Sequence, residues 1–471
     1  MLVISVLLLL GVCNQVFSVK YLYVPDWPKS DPFHNFYDLE KDSLDLIALG
    51  SSHTMNAVIP QALYDDFGIR SYNLSSEQQS MAVSYYWLQE ALRFHHPRAV
   101  VLDIYIAYPF DEAHPFNGVN TWIHRPMDPM QWSGVKWNAV QEICETDPDQ
   151  SPWDYYLPFL RFHSRWSELK PEDLIHNTRG HMSPLHGFIP SVYAGDPEAE
   201  SYVPFSASDA VEPEQPMPLM LEYLDRIVDL CKEKDIRLLL ISTPYVGASA
   251  SRNLFFRNYA REQGVEFLDF NEETLYEACG FVSAEDFKDD DHLNVWGADK
   301  CTAYLGSHLT ETTVFPGAEN AALENSREYY EYVRKNCELA RIRDYSTYLQ
   351  WLEKENPLVF VMGQGMPPLT EQQAAPLEAL GISPEQFGVP YSALIQDGKI
   401  LKEGPAISGK IPSALFFYSM TPVTASAEID SVQYAFEPHH LQMLVWDTRT
   451  DSVIDFMGFD FGPDGQVLCT R

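Results

Sequence analysis

Basic residues are scarce in this chain: 32 Lys and Arg stand against 67 Asp and Glu, a formal charge of −35 over 471 residues. An imbalance of that size repels nucleic-acid phosphates and anionic membranes, so no nucleic-acid partner is expected. It also disfavours a strongly anionic polymer as substrate unless the site itself is locally basic. Cysteine is thinly spread. The seven residues Cys13, Cys144, Cys231, Cys279, Cys301, Cys337 and Cys469 include no CxxC pair, which excludes a zinc ribbon or a dense disulfide scaffold and leaves one or two disulfides open. Short-period repeats and low-complexity tracts are absent too. What remains is globular: 45% hydrophobic and 21% charged residues are too apolar for a disordered chain. At about 150 residues per domain, the length suggests two or three domains.

Residues 1–19 carry no charged side chain, and residues 3–13 (VISVLLLLGVC) are almost wholly apolar. A run of about eleven suits the core of a signal peptide, whereas a spanning helix wants about twenty. Ser18, with Val16 two before it, makes a tolerable cleavage point. The expectation is export to the extracellular space or the cell surface, by a cleaved leader or an uncleaved anchor over residues 1–19.

Residues 45–54 (DLIALGSSHT) read as strand, tight turn and helix start, with helical spacing from Met55 to residue 67. Strands are expected at 69–74, 99–105, 236–243 and 265–269, and helices at 81–94, 219–234, 253–263 and 295–309. Strands alternating with helices indicate an α/β fold with a parallel sheet covered on both faces, whose ligands sit at the carboxyl ends of the strands. Residues 110–218 break the alternation and read as an inserted cap over the site, helical around 153–169, with an acidic exposed stretch at 196–216. Residues 313–344 form a polar, largely helical connector. From residue 345, short runs of alternating apolar residues suggest a small β-sandwich-like domain with one helix near 370–380.

A serine on the turn from a buried strand into a helix stands at the rim of a sheet, where main-chain N–H groups can face a developing oxyanion. Gly50 permits the turn, and either Ser51 or Ser52 could be the nucleophile; serines here also simply cap helices. Some 240 residues on lies Asp289-Asp290-Asp291-His292-Leu293-Asn294. A serine needs a base to take its proton and a carboxylate to orient that base, and an Asp three residues before a His can do this within one turn of chain. The run lacks the Gly and the closing Glu of a calcium loop, so no metal is expected, and no cofactor. Asn294 is expected to fix the His292 loop, and His53 to be an exposed first-turn residue. His95-His96-Pro97-Arg98 reads as a helix end. In the cap, Arg161 to Trp166 (RFHSRW) mixes cations with aromatics, as sugar or acyl-carrier binding would want, though helix packing is the simpler reading.

The order and context of these two blocks resemble the SGNH/GDSL hydrolase superfamily, whose serine follows the first strand and whose Asp and His lie in a late DxxH motif. The resemblance spans roughly residues 40–310 and makes Ser52 the nucleophile, His292 the base and Asp289 its orienter. The Gly-Ser-Ser form, with an export signal, looks most like the bacterial surface branch that includes alginate O-acetylation and teichoic-acid D-alanyl-transfer proteins. In the superfamily the oxyanion is held by the serine's own N–H, a Gly N–H after the second strand and an Asn side chain after the third. Here the second block reads Asn73-Leu74-Ser75-Ser76-Glu77-Gln78, so the resemblance implies Ser52 and Ser76 main-chain donors. The third block, Val101-Leu102-Asp103-Ile104-Tyr105, has no Asn; Asn73, Gln78 and Tyr105 are the candidates to replace it. Loss of one donor costs on the order of 3 kcal/mol of transition-state stabilisation.

Residues 345–471 resemble the interleukin-like EMT inducer (ILEI/PANDER) domain through Leu377-Glu378-Ala379-Leu380-Gly381-Ile382, residues 391–399 (YSALIQDGK) and residues 441–461. Together the resemblances imply an exported serine esterase or O-acyltransferase acting on acyl groups of a surface or extracellular polysaccharide. An acylated carbohydrate or surface polymer is then the partner, and a membrane-bound O-acyltransferase would supply acyl groups in the transferase version. The other expectation is a catalytically silent glycan-binding or scaffold protein that keeps the hydrolase fold.

Overall fold

The computed structural model describes residues 2–17, 32–108, 116, 122–169, 174, 184–192, 202–206, 211–383, 389–412, 417–424, 426–429, 432–435, 439–449 and 452–471. The expected cleavage point at Ser18 lies outside the described residues, as do positions 196–201 and 207–210 of the acidic stretch. Two compact units result, one from Ser30–Glu331 with the N-terminal helix, the other from Tyr332–Arg471.

In the first unit, β1 (Leu46–Gly50), β2 (Ser71–Ser75), β3 (Ala99–Asp103), β4 (Arg237–Ser242) and β5 (Glu266–Asp269) form one parallel sheet in the order β2-β1-β3-β4-β5. β1, β2 and β3 are buried at every residue, as a sheet covered on both faces demands. Alternate residues feed two cores. Ile47, Leu49, Val100, Leu102, Leu238 and Leu240 face one side, and Leu46, Ala48, Val101, Leu239 and Ile241 the other. The helices are α1 (Leu2–Phe17), α2 (Pro32–Phe36), α3 (Ser52–Ala57), α4 (Pro60–Phe67), α5 (Met81–Ala91), α6 (His124–Met127), α7 (Gly134–Thr146), α8 (Pro152–Tyr156), α9 (Phe159–Phe162), α10 (Pro218–Glu233), α11 (Ala250–Gln263), α12 (Glu273–Cys279), α13 (Ser283–Asp286) and α14 (Val295–Thr312), and α15 (Ala321–Cys337) begins in this unit. α5, α7 and α10 cover the first face; α3, α4, α12 and α14 supply the second. The order of strands reverses direction between β1 and β3, which opens a crevice at their carboxyl ends.

Local chemistry moves several expected boundaries. The helix expected from Met55 to residue 67 is two helices, because Pro60 has no N–H to donate and takes the first position of α4, while Val58, extended, ends α3. The third strand stops at Asp103, since a 3-10 turn occupies Tyr105–Ala107. The inserted section holds α6 and α7 besides the expected helical stretch, which is broken into α8, α9 and a 3-10 turn at His163–Ser167. His95 to Arg98 follow α5 rather than ending it: His95 is buried and His96 pairs with Asp42 at 2.5 Å. All seven cysteines are free, so neither of the disulfides left open is formed. No described helix is long and apolar enough to cross a membrane.

The second unit is antiparallel. β6 (Leu358–Gly363), β7 (Tyr391–Gln396), β8 (Lys399–Gly404), β13 (Leu441–Asp447), β14 (Ser452–Phe461) and β15 (Val467–Thr470) make one sheet in the order β15-β14-β13-β6-β7-β8. β9 (Ile407–Lys410), β10 (Phe417–Thr421), β11 (Ser426–Ile429) and β12 (Val432–Ala435) make another. Leu358, Phe360, Met362 and Trp446 meet Tyr418, Met420 and Ile429 of the smaller sheet. Val359, Val361 and Met443, on the opposite face, pack under α16 (Tyr345–Glu355) and α17 (Glu371–Ala379). The domain expected from residue 345 therefore opens on a helix, α16, ahead of its first strand.

Candidate active site

β1 ends in Gly50 at φ +149°, a backbone region that L side chains rarely adopt. A Cβ there would overlap the Thr54 hydroxyl and lie 2.8 Å from the Asp103 Cβ, so only glycine fits the turn. Ser51 caps α3, its Oγ accepting from the His53 N–H at 3.3 Å, and is 1% exposed. Ser52, the first residue of α3, is only partly buried. The two roles a serine can take at this turn are thus divided between neighbours: Ser51 caps, and Ser52 presents its hydroxyl.

Ser52 Oγ lies 2.7 Å from His292 Nε2, and His292 Nδ1 lies 2.7 Å from Asp289 Oδ1. With Nδ1–H donating to the carboxylate, Nε2 is left to accept the serine proton. The loop is held from within. Asn294 donates through Nδ2 to Glu285 O (2.6 Å) and Phe287 O (3.1 Å), and its Oδ1 accepts the first-turn N–H groups of α14 from Trp296 and Gly297. The Lys288 N–H donates to His292 O at 2.9 Å, and the Val246 N–H ties Asp290 O to the loop after β4. Burial alone would raise the Asp289 carboxyl, but the His292 hydrogen bond and charge, the Asp291 N–H and Lys288 outweigh it and hold it below the usual range. Asp289 is therefore a carboxylate at neutral pH, as an orienter must be.

The expected oxyanion donors fare differently. In the parallel register Gly50 pairs with Ser75, so Ser76 stands level with the turn that carries Ser52. The Ser52 N–H belongs to the first turn of α3, whose amides lack intrahelical acceptors. Asn73 does not serve: its Nδ2 spends both protons on Thr54 O (2.9 Å) and Val58 O (3.2 Å), and its Oδ1 accepts from Ser75. The side chain is fully buried, fastening α3 to β2. Gln78 sits at φ +48°, and the Tyr105 ring is stacked on His53 with centroids 3.7 Å apart.

His53 is the second correction. It is 2% exposed, its Nδ1 lies 2.9 Å from the Thr243 hydroxyl, and its ring lies 5.2 Å from that of His292. Burial, reinforced by His292 and opposed by Asp289, pushes its pKa well down, so it stays neutral beside the pair. Asp103, at the end of β3, accepts from the Tyr105 N–H (2.9 Å) and the Thr243 N–H (3.5 Å). Burial raises it to about 7 against the pull of those two amides. Asp103, Thr243 and His53, all buried, and the half-buried Tyr105 thus form one layer behind the Ser52–His292 pair. Their only trace in the sequence is that strands of pure hydrocarbon end in polar residues. Another element escaped the reading: residues 184–192, the tail of the insertion, are stitched to the site. The Asn73 N–H donates to His186 O, the Ile189 N–H to Met55 O and the Val295 N–H to Ser191 O, with Asn56 Nδ2 on Ile189 O.

In the inserted section, Arg161 is engaged by Asp128 at 2.5 Å and Arg165 by Phe17 O, so the RFHSRW cations pack rather than face a ligand. Among the described residues no cluster of three His, Cys, Asp or Glu is placed to hold a metal. The geometry offers a nucleophile, a base and a carboxylate in one hydrogen-bonded line at the carboxyl end of a parallel sheet. No protein-family model matches the chain, and no curated protein matches it in sequence.

Proposed function

We propose that this chain is an exported SGNH-like serine esterase or O-acyltransferase acting on acyl groups of a cell-surface or extracellular polysaccharide. The observation that carries the reading is the Ser52–His292–Asp289 line, two hydrogen bonds of 2.7 Å across 240 residues of sequence. Ser52 Oγ attacks the acyl carbonyl while its proton passes to His292 Nε2. The ester C–O bond then breaks, and the leaving alcohol takes that proton. Water or a sugar hydroxyl releases the acyl group from Ser52 by the same steps reversed. Main-chain N–H groups of Ser52 and Ser76 hold the oxyanion. A serine-directed fluorophosphonate tests the reading: labelling at Ser52, lost in Ser52→Ala, is the expected result.

One observation favours a second reading, a silent glycan-binding or scaffold protein. The third block supplies no Asn, and its Asp103 is committed to two main-chain amides. Folded protein that takes no label and turns over no acyl ester supports this alternative and rejects the first.

A further inference from the structure

Tryptophan is expensive to leave in water, yet Trp132, Trp137, Trp153 and Trp166 are 52%, 51%, 61% and 72% exposed. All four lie within the inserted section. Tyr156 gathers three of them: its ring stacks on Trp137 at 5.6 Å, lies 5.6 Å from Trp132 and meets Trp153 edge-on at 5.8 Å. The elements form a continuous series. α7 packs on α8, α8 on α9, and α9 on the 3-10 turn that carries Trp166. A second apolar surface joins the same series. α1 packs against α9 and that turn; Asn14 Oδ1 accepts from the Phe159 N–H at 2.9 Å, and Phe17 O from Arg165 at 2.7 Å. α1 has no charged residue, and Ile4, Val6, Leu8, Leu9 and Val12 are exposed along it.

We propose that this end of the first unit docks on a lipid bilayer, with α1 lying in the interface and the tryptophans at headgroup level. The sixteen residues of α1 rise about 24 Å, short of the roughly 30 Å of a bilayer's hydrocarbon core, so α1 is too short to span and is placed in the interface instead. Tryptophan suits that depth because its ring is apolar and its N–H still finds a polar partner. The cations beside the rings are already engaged: Arg161 by Asp128, and the Lys136 ammonium by Asp128 O and Met130 O. With a chain charge of −35, the fitting surface is zwitterionic rather than anionic. The proposal stands whatever chemistry Ser52 performs.

The test is flotation of the chain retaining residues 1–17 with phosphatidylcholine vesicles, against the double variant Trp153→Ala/Trp166→Ala. Bound protein is expected to fall about tenfold or more in the variant, at unchanged melting temperature. Parent tryptophan emission should shift to the blue on vesicles and be quenched by brominated lipid. Equal flotation of parent and variant overturns the proposal, because α1 alone would then suffice. So does a parent that ignores vesicles, or one retained on neutral polysaccharide through the same tryptophans instead.

Discussion

Ser52 stands on regular structure: a fully buried strand, a glycine no other residue replaces and a capped helix turn. Asp289 and His292 stand on irregular chain, positioned by side-chain bonds from Asn294 and a few loop amides. The serine half is thus placed by packing and backbone geometry, the histidine half by a handful of hydrogen bonds. Damage to the first should cost the fold, and damage to the second should cost the chemistry while leaving the fold intact.

The widest separation of the two is expected from His292→Ala, which should lower ester turnover by about 10⁴-fold or more while the melting temperature stays near the parent's. Parallel kinetics and thermal unfolding read both numbers, and a large fall in stability would erase the contrast. Gly50→Val is the mirror case. Its side chain would overlap Thr54 and Asp103, so chemical denaturation should report a loss of about 3–4 kcal/mol. A folded, active Gly50→Val protein would mean the serine turn is not set by that close approach.

Acid sharpens the contrast from the serine side. His186, whose carbonyl accepts from the Asn73 N–H, is buried, which lowers its pKa from 6.5 to about 4. Above pH 6.5 both folded and unfolded forms are neutral and its contribution is intact. As pH falls toward 4 the unfolded chain takes up the proton first, costing about 3 kcal/mol, and below 4 the loss levels off. Denaturation curves across this range should be flatter for His186→Asn by about that amount; matching slopes would show that His186 protonates freely in the folded protein. A smaller stability loss than that of Gly50→Val is expected from Asn294→Ala, about 1–2 kcal/mol for the lost cap. Its turnover should nevertheless fall at least about tenfold, since the His292 loop loses two carbonyl anchors. Unaltered turnover would show that the loop holds its shape without Asn294.

This division also explains what the sequence made legible. Buried parallel strands advertise themselves as continuous apolar runs, so β1, β3, β4 and the turn after β1 could be read directly. The DDDHLN run could be read as an Asp–His pair because its spacing is local, and Asn294 does steady the loop as expected. Residues whose partners are distant could not. Asn73 looks like a free amide until Thr54 and Val58 turn their carbonyls toward it, and His53 looks exposed until Thr243 and Tyr105 arrive from just beyond the ends of two other strands. α16 was missed for another reason. Tyr345, Tyr348, Leu349 and Leu352 do recur at helical spacing, but the alternating strands that follow dominated the reading.

The tail of the insertion, residues 184–192, touches chain from both sides of the catalytic pairing: Met55 and Asn73 early, Val295 late. It works as a clamp whose registration, not composition, matters, because three of its bonds use main-chain groups. Removing a single residue inside it would shift every contact by one and pull the two halves of the pairing out of step.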